Sequence, residues 1–257
     1  MICYFCSNSS SDICDNCFNE RMEGALELNQ KFTSAHPFPH VVLDDYFSPE
    51  LLNQIIDEIS EPDKSSNLNS GYYQTGKHIW SRNESSLGAT IQGSKAATLM
   101  NGFNSPRLLQ IIQRITGFDH LEMDPEDWGA GIQQTLRGGS LHVHTDMSRL
   151  QHGPKYRRAN LIVYLNKDWK DEYGGELEFW NDGKVRKLAK KVPPIFNRSV
   201  IFETTGKSWH GHPKPLNTPD GITRKSVAFF FYSDKPGNQD RGDTEARWLN
   251  SDGSLRS

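Results

Sequence analysis

Residues 161–180 read LIVYLNKDWKDEYGGELEFW. The opening LIVYL is short and rich in β-branched and aromatic residues, which marks a strand buried on both faces. The polar stretch behind it and the pair Gly174-Gly175 are turn signals, and the run ending in LEFW is a second strand. Similar runs recur from about residue 128 onward: Gly131 to Leu136, Leu141 to Thr145, Leu161 to Leu165, Glu176 to Trp180, Ser199 to Glu203 and Ser226 to Tyr232. Short strands punctuated by Gly and Pro argue for a sandwich or jelly roll rather than alternating strand and helix units.

Upstream the texture is helical. Ser48-Pro49 followed by Leu51, Leu52, Ile55, Ile56 and Ile59 combines a cap, a proline at the first helical position and apolar i, i+4 spacing. Ser105-Pro106 repeats the device before Leu108, Leu109, Ile111, Ile112 and Ile115, with Gly117 as the stop. Phe18, Met22, Ala25, Leu26 and Phe32 recur at near-helical spacing and form a linker helix. Residues 61 to 93 lack clean periodicity and read as loops and short strands. The fold class is therefore mainly β with flanking helices.

At 257 residues, one sizeable core is the default, and 35% hydrophobic with 24% charged residues is an ordinary globular composition. A formal net charge of −3 gives no bulk attraction to nucleic acid or to an anionic membrane surface. No run approaches the roughly 18 apolar residues of a membrane span, and the N-terminus is polar where a signal peptide needs an apolar stretch. A cytoplasmic, reducing location is the expectation. All four cysteines lie in the first 17 residues, as the CxxC pairs Cys3/Cys6 and Cys14/Cys17. Thiolates in two such pairs suit Zn(II), and a segment this short needs the metal's folding energy. Free or disulfide-paired cysteines are the bland reading, and iron could substitute for zinc. The division expected is 1–33, a zinc knuckle with its linker helix, and 34–257, the main domain, with a core at about 128–233 and a polar tail at 234–257 whose apolar anchor is Trp248-Leu249.

His144-Thr145-Asp146 places an imidazole and a carboxylate two residues apart, hence on one face of a strand. By itself this is weak, because 9 histidines and 32 acidic residues give on the order of one H-x-[DE] match by chance. A second match, His120 and Glu122, lies in an acidic loop after the helix stop. Context separates them. After His144 come Arg157-Arg158, the LIVYL strand, Asn166, Trp169 and Gly174-Gly175-Glu176-Leu177; far downstream stand Trp209-His210 and Arg224-Lys225-Ser226. In this order these residues resemble the iron(II)- and 2-oxoglutarate-dependent dioxygenase superfamily, in its prolyl-hydroxylase-like branch, with YLNKDW and GGEL as the nearest echoes. The resemblance covers residues 128 to 233, reaches loosely back to His36-Pro37-Phe38-Pro39-His40 and the Ser48-Pro49 helix, and does not include the cysteines.

The resemblance implies a double-stranded β-helix (jelly roll) core. It also implies Fe(II) held by His144, Asp146 and His210, and 2-oxoglutarate bound by Arg224 with Tyr164 and Ser226. Two imidazoles and one carboxylate on a face leave open positions on an octahedral Fe(II) for a 2-oxo acid and O₂, and a guanidinium offers a two-donor fork to a carboxylate. Ascorbate is the expected supporting reductant. His212 is a rival to His210, although Gly211 and Pro213 after His210 fit the family pattern, and His142 is either near the cosubstrate or a satisfied core histidine. Arg224 as a surface residue and Tyr164 as core packing are the bland alternatives.

The implied reaction is hydroxylation of an unactivated C–H bond, with 2-oxoglutarate going to succinate. A peptidyl proline in a protein or peptide is favoured, and a free amino acid or other small molecule is the alternative. A cupin-type oxygenase built on His142-Val143-His144 expects a glutamate where Ser148 and Arg149 stand. A non-catalytic binding module with a zinc docking knuckle is the reading from another class. The basic run Lys184, Arg186, Lys187, Lys190 and Lys191 reads as a solvated hairpin or an acidic-partner contact. The loop from Asn166 to Gly175, with Trp169 and Tyr173, is expected to cover the iron.

Overall fold

The structure is a computed structural model that describes residues 3–6, 8, 13–59, 78–81, 105–123, 131–148, 154–235 and 245–256. Among the described residues three α-helices stand out: α1 (Asp15–Ser34), α2 (Pro49–Glu58) and α3 (Pro106–Thr116). The strands are β1 (His40–Asp44), β2 (His78–Ser81), β3 (Glu122–Met123), β4 (Gly131–Thr135), β5 (Leu141–Thr145), β6 (Tyr156–Tyr164), β7 (Leu177–Trp180), β8 (Leu188–Val192), β9 (Arg198–Glu203), β10 (Trp209–His212), β11 (Arg224–Ser233) and β12 (Arg247–Trp248).

They form two antiparallel sheets. The larger runs β1-β9-β6-β11-β4-β2, with β3 also on β11; the smaller runs β12-β5-β10-β7-β8. Two facing antiparallel sheets are the jelly roll that the resemblance implies.

The period of two explains LIVYL. On one face of the larger sheet Ala159, Leu161, Val163, Leu165, Ile201, Val227, Phe229 and Phe231 pack with buried residues of α1, α2 and α3. On the other, Tyr164, Val200 and Phe202 meet Leu177, Phe179 and Val192 of the smaller sheet. Both faces are covered, so the strand reads as a continuous apolar run. The faces still differ, because the inward positions of β6 and β11 carry Asn160, Tyr164, Arg224 and Ser226.

The helix signals hold in detail. Ser48 Oγ accepts from Leu51 N–H and Ser105 Oγ from Leu108 N–H, each at 3.2 Å. Gly117 is left-handed at φ 74° and its N–H reaches Gln113 O at 2.8 Å. Three strands depart from expectation. β6 starts at Tyr156, five residues before the apolar run, since Arg157 is buried with its guanidinium 3.4 Å over the Phe230 ring; the charge that reads as a loop end is a covered strand residue. Glu122, read as part of a loop, lies in β3. β8 carries Lys190 and Lys191 of the basic run at the end of the smaller sheet, where exposed lysines protect an edge from further pairing. Of the stretch 61–93, only β2 is described.

The polar tail at 234–257 is no loose end over its described part. β12 pairs with β5, Leu249 is buried, and Leu249 N–H reaches Val143 O at 2.8 Å. One apolar pair suffices to dock it because β5 offers an unpaired edge. Residues 236–244 and 257 lie outside the described residues. No described helix is long and apolar enough to cross a membrane.

Candidate metal centre and cosubstrate pocket

β5 and β10 are hydrogen-bonded neighbours, and their register sets His210 directly opposite His144. Asp146 follows the end of β5. The donor atoms of His144, Asp146 and His210 all lie within 4.8 Å of one another. His144 Nε2 is 3.4 Å from Asp146 Oδ1, and His210 Nε2 is 3.5 Å from Asp146 Oδ2. His212 is also buried, but it pairs with Leu141 beyond a β-bulge and is not in this group. The bulge separates the two histidines, and it is His210 that lies with His144 and Asp146. His142 is half-buried and outside the group as well, as are His120 and Glu122; Glu122 instead ion-pairs with Lys155.

The chemistry of the donor set fits a metal. His144 Nδ1 lies 2.9 Å from His142 O, and His210 Nδ1 lies 2.8 Å from Ser208 O. A ring nitrogen that faces a carbonyl must carry the proton, so both Nε2 lone pairs point at the shared space. Burial pushes the His210 pKa down to about 4, which keeps the ring neutral and able to ligate at pH 7. Burial alone would raise the Asp146 carboxyl, but Arg157, His210 and His144 outweigh it and hold the group well below the usual carboxylate range.

Asp146 is held from behind by residues the motif did not disclose. Asn160 Nδ2 donates to Asp146 Oδ2 at 2.7 Å, Arg157 Nε donates to Asn160 Oδ1 at 2.9 Å, and Arg157 Nη2 lies 3.4 Å from Oδ2. Oδ2 is thereby engaged, and Oδ1 is the freer donor. The available signal was a polar Asn inside an otherwise apolar strand. Trp248 was missed as a site residue too: its ring stacks on that of His144 at 4.6 Å and 19°. Phe202 lies 4.6 Å from the His210 ring, so each imidazole is braced by an aromatic side chain. Gly211 is required where β10 meets β5, since a Cβ there would stand 2.7 Å from His142 O and 2.8 Å from Leu141 O.

The second part of the site lies along the same inward face. Tyr164 is four residues beyond Asn160 on β6, about 13 Å along the strand, and pairs with Ser226 of β11. Arg224, Tyr164 and Ser226 are 3%, 0% and 0% exposed. Arg224 Nε donates to Gly175 O at 2.8 Å and Nη2 to Tyr164 Oη at 3.3 Å. Among the described residues no carboxylate pairs with Arg224, and Ser226 Oγ has no protein partner. A buried cation beside an orphaned hydroxyl is a place for an anionic ligand. Gly175 explains GGEL: at φ 77°, a Cβ would meet Leu216 Cδ2 at 2.6 Å and Arg224 Cδ at 3.0 Å.

The loop from Asn166 to Gly175 does not carry Trp169 over the metal ligands. Trp169 lines a small pocket with Ile56, Leu165 and Lys225, on the helix-bearing side of the larger sheet. Its Nε1–H is turned back to Gly174 O at 3.0 Å, and Tyr173 packs edge-on at 5.4 Å.

Separately, Sγ atoms of Cys3, Cys6, Cys14 and Cys17 lie within 4.8 Å of one another, and none is in a disulfide.

Residues 130–232 match the model of the 2OG-Fe(II) oxygenase superfamily. No curated protein matches the sequence. Among solved structures, similar folds include a prolyl hydroxylase from Trichoplax adhaerens in complex with a hypoxia inducible factor oxygen degradation domain peptide fragment. It has 14% identity and a TM-score of 0.54, over 85% of this chain and 93% of that one. Prolyl 4-hydroxylase from Phytophthora capsici is similar at 18% identity and a TM-score of 0.52, over 89% of this chain and 67% of that one.

Proposed function

We propose, from the match of residues 130–232 to the 2OG-Fe(II) oxygenase superfamily, that this chain is a dioxygenase hydroxylating a prolyl residue of a protein or peptide. One observation carries the reading: a buried His-Asp-His donor set shares an inward face with a buried arginine that has no carboxylate partner among the described residues.

His144, Asp146 and His210 would hold Fe(II), and Arg224, Tyr164 and Ser226 would hold the far carboxylate of 2-oxoglutarate. Bound iron and 2-oxoglutarate supply O₂ activation, with release of CO₂ and succinate and delivery of one oxygen atom to a substrate C–H bond. The chain's own work is electrostatic and geometric. Ionised Asp146 would offset part of the ion's charge, and Asn160 with Arg157 keeps its Oδ2 occupied, so Oδ1 is the oxygen that would ligate. Arg224 offers Nη donors to a carboxylate, while its Nε is fixed on Gly175 O so that the fork does not swing. Tyr164 keeps its proton, since burial raises its pKa against the partial opposition of Arg224; its hydroxyl can therefore donate to a carboxylate as well as accept from Arg224.

The peptide-bound Trichoplax neighbour of the same fold supports a peptidyl substrate. The test supplies full-length protein with Fe(II), ascorbate, 2-oxoglutarate and proline-containing peptides, and follows succinate together with a +16 Da product. Hydroxylated peptide with matching succinate is the expected result. Turnover only with free amino acids would replace the peptide reading, and no succinate with any of these would remove the enzymatic one. A reducing, cytoplasmic setting suits both the iron and the four unbridged cysteines of this scheme.

A further inference from the structure

We infer that the four N-terminal cysteines bind one Zn(II), and that this ion locks Cys3–Cys6 and Ile13–Cys17 into the outer core of the oxygenase fold rather than displaying a docking module.

The sulfur geometry comes first. Cys3 Sγ and Cys14 Sγ are 3.7 Å apart, and Cys6 Sγ and Cys14 Sγ 3.6 Å. Four thiolates placed tetrahedrally about zinc at ~2.3 Å stand about 3.8 Å from one another. A disulfide needs ~2.05 Å between its sulfurs. Packed thiols can also touch at such distances, but apolar packing gives no reason for two separate CxxC turns to converge four sulfurs on one point. The Cys14 backbone N–H also faces Cys3 Sγ at 3.4 Å, a contact that favours a thiolate.

The second observation is where the intervening residues go. Tyr4, Phe5 and Ile13 are 1%, 8% and 1% exposed and belong to the same core as Leu52, Ile111 and Phe229. Phe5 stacks on Phe47 at 5.5 Å and meets Tyr46 edge-on at 5.4 Å. Tyr4 O accepts from the N–H of Ser48, the cap of α2, at 2.7 Å. Arg107 of α3 donates to Ile13 O at 2.7 Å and pairs with Asp15 at 2.6 Å. The first CxxC turn thus feeds Tyr4 and Phe5 to the start of α2, and Ile13 and Asp15 tie the second to the start of α3; these helices cover the outer face of the larger sheet. A knuckle built to recruit a partner would present those aromatics to solvent. Apart from the first turn of α1, the described residues of the segment form neither helix nor strand, and metal ligation is what would order them.

The test uses full-length protein purified without chelator. Elemental analysis is expected to find one zinc per chain, retained in Asp146→Ala and lost in the double variant Cys3→Ser/Cys14→Ser. Cobalt(II) in its place should give the absorption of a tetrahedral thiolate site. Thermal unfolding of the double variant should occur roughly 10 °C or more below wild type, or without cooperativity. Should that variant fail to fold, the native protein decides: a mercurial thiol reagent should release one zinc per chain and collapse the thermal transition. Zinc-free protein of unchanged stability, or zinc whose release leaves the transition in place, would overturn the inference. None of these readouts depends on oxygenase activity.

Discussion

The cysteine set and the histidine-aspartate set are assembled in opposite ways. Four sulfurs come from fifteen consecutive positions, Cys3 to Cys17, so chain proximity alone nearly brings them together. His144, Asp146 and His210 span 67 residues and meet only because β5 and β10 pair in one register, pinned by the close approach at Gly211. The first set helps to make the fold, and the second is made by it. Losing a ligand of the first should therefore cost stability, whereas losing a ligand of the second should cost chemistry and leave the fold standing.

The largest effect expected under that contrast is on Asp146. Asp146→Ala should bring succinate formation to background while zinc content and cooperative unfolding are kept; a variant that unfolds instead would break the distinction. Arg224→Ala comes next. With one charge-assisted anchor gone, the KM for 2-oxoglutarate should rise by roughly 10-fold or more, and steady-state kinetics at varied cosubstrate checks it. A change confined to the KM for peptide would remove Arg224 from the cosubstrate pocket.

Asn160→Ala sharpens the comparison, because it touches the metal set only through Asp146. Iron affinity should fall by about 10- to 100-fold, the usual cost of losing an outer-shell partner, as read by competition with a chelator, and zinc content should not move. The smallest effect concerns His40, which belongs to neither set. Burial first, and then the Lys190 ammonium 2.8 Å from its Nε2, hold its pKa at about 4 against an ordinary 6.5. The unfolded chain then takes up a proton that the folded one refuses. Stability from this residue is thus fully present above about pH 6.5 and declines as pH falls toward 4. His40→Phe should flatten that part of the pH dependence of the melting temperature.

How much of this was legible from sequence differs between the two sets for the same reason. CxxC pairs are short-range chelates, and their spacing is their geometry. The H-x-D said little alone, and it was the order of LIVYL, GGEL, Trp209-His210 and Arg224 that gave it meaning. His210 against His212 could not be separated from spacing, since both are buried strand residues and only the bulge between them distinguishes their neighbours. The site roles of Asn160 and Trp248 do not follow from local pattern because each acts through a tertiary contact, across the sheets in one case and along a sheet edge in the other; a polar Asn in an apolar strand is the one hint. Trp169 misled for a related reason: an aromatic residue in a loop near a site carries no sign of which side of the sheet it will occupy.

The most direct test needs no knowledge of the substrate. Fe(II)-loaded protein is titrated with 2-oxoglutarate without oxygen, and the iron-to-cosubstrate charge-transfer absorption is followed. A saturable band in wild type, absent in Asp146→Ala and shifted to higher 2-oxoglutarate concentration in Arg224→Ala, is the expected result. No band in wild type, or an unaltered band in Asp146→Ala, would contradict the assignment of this site.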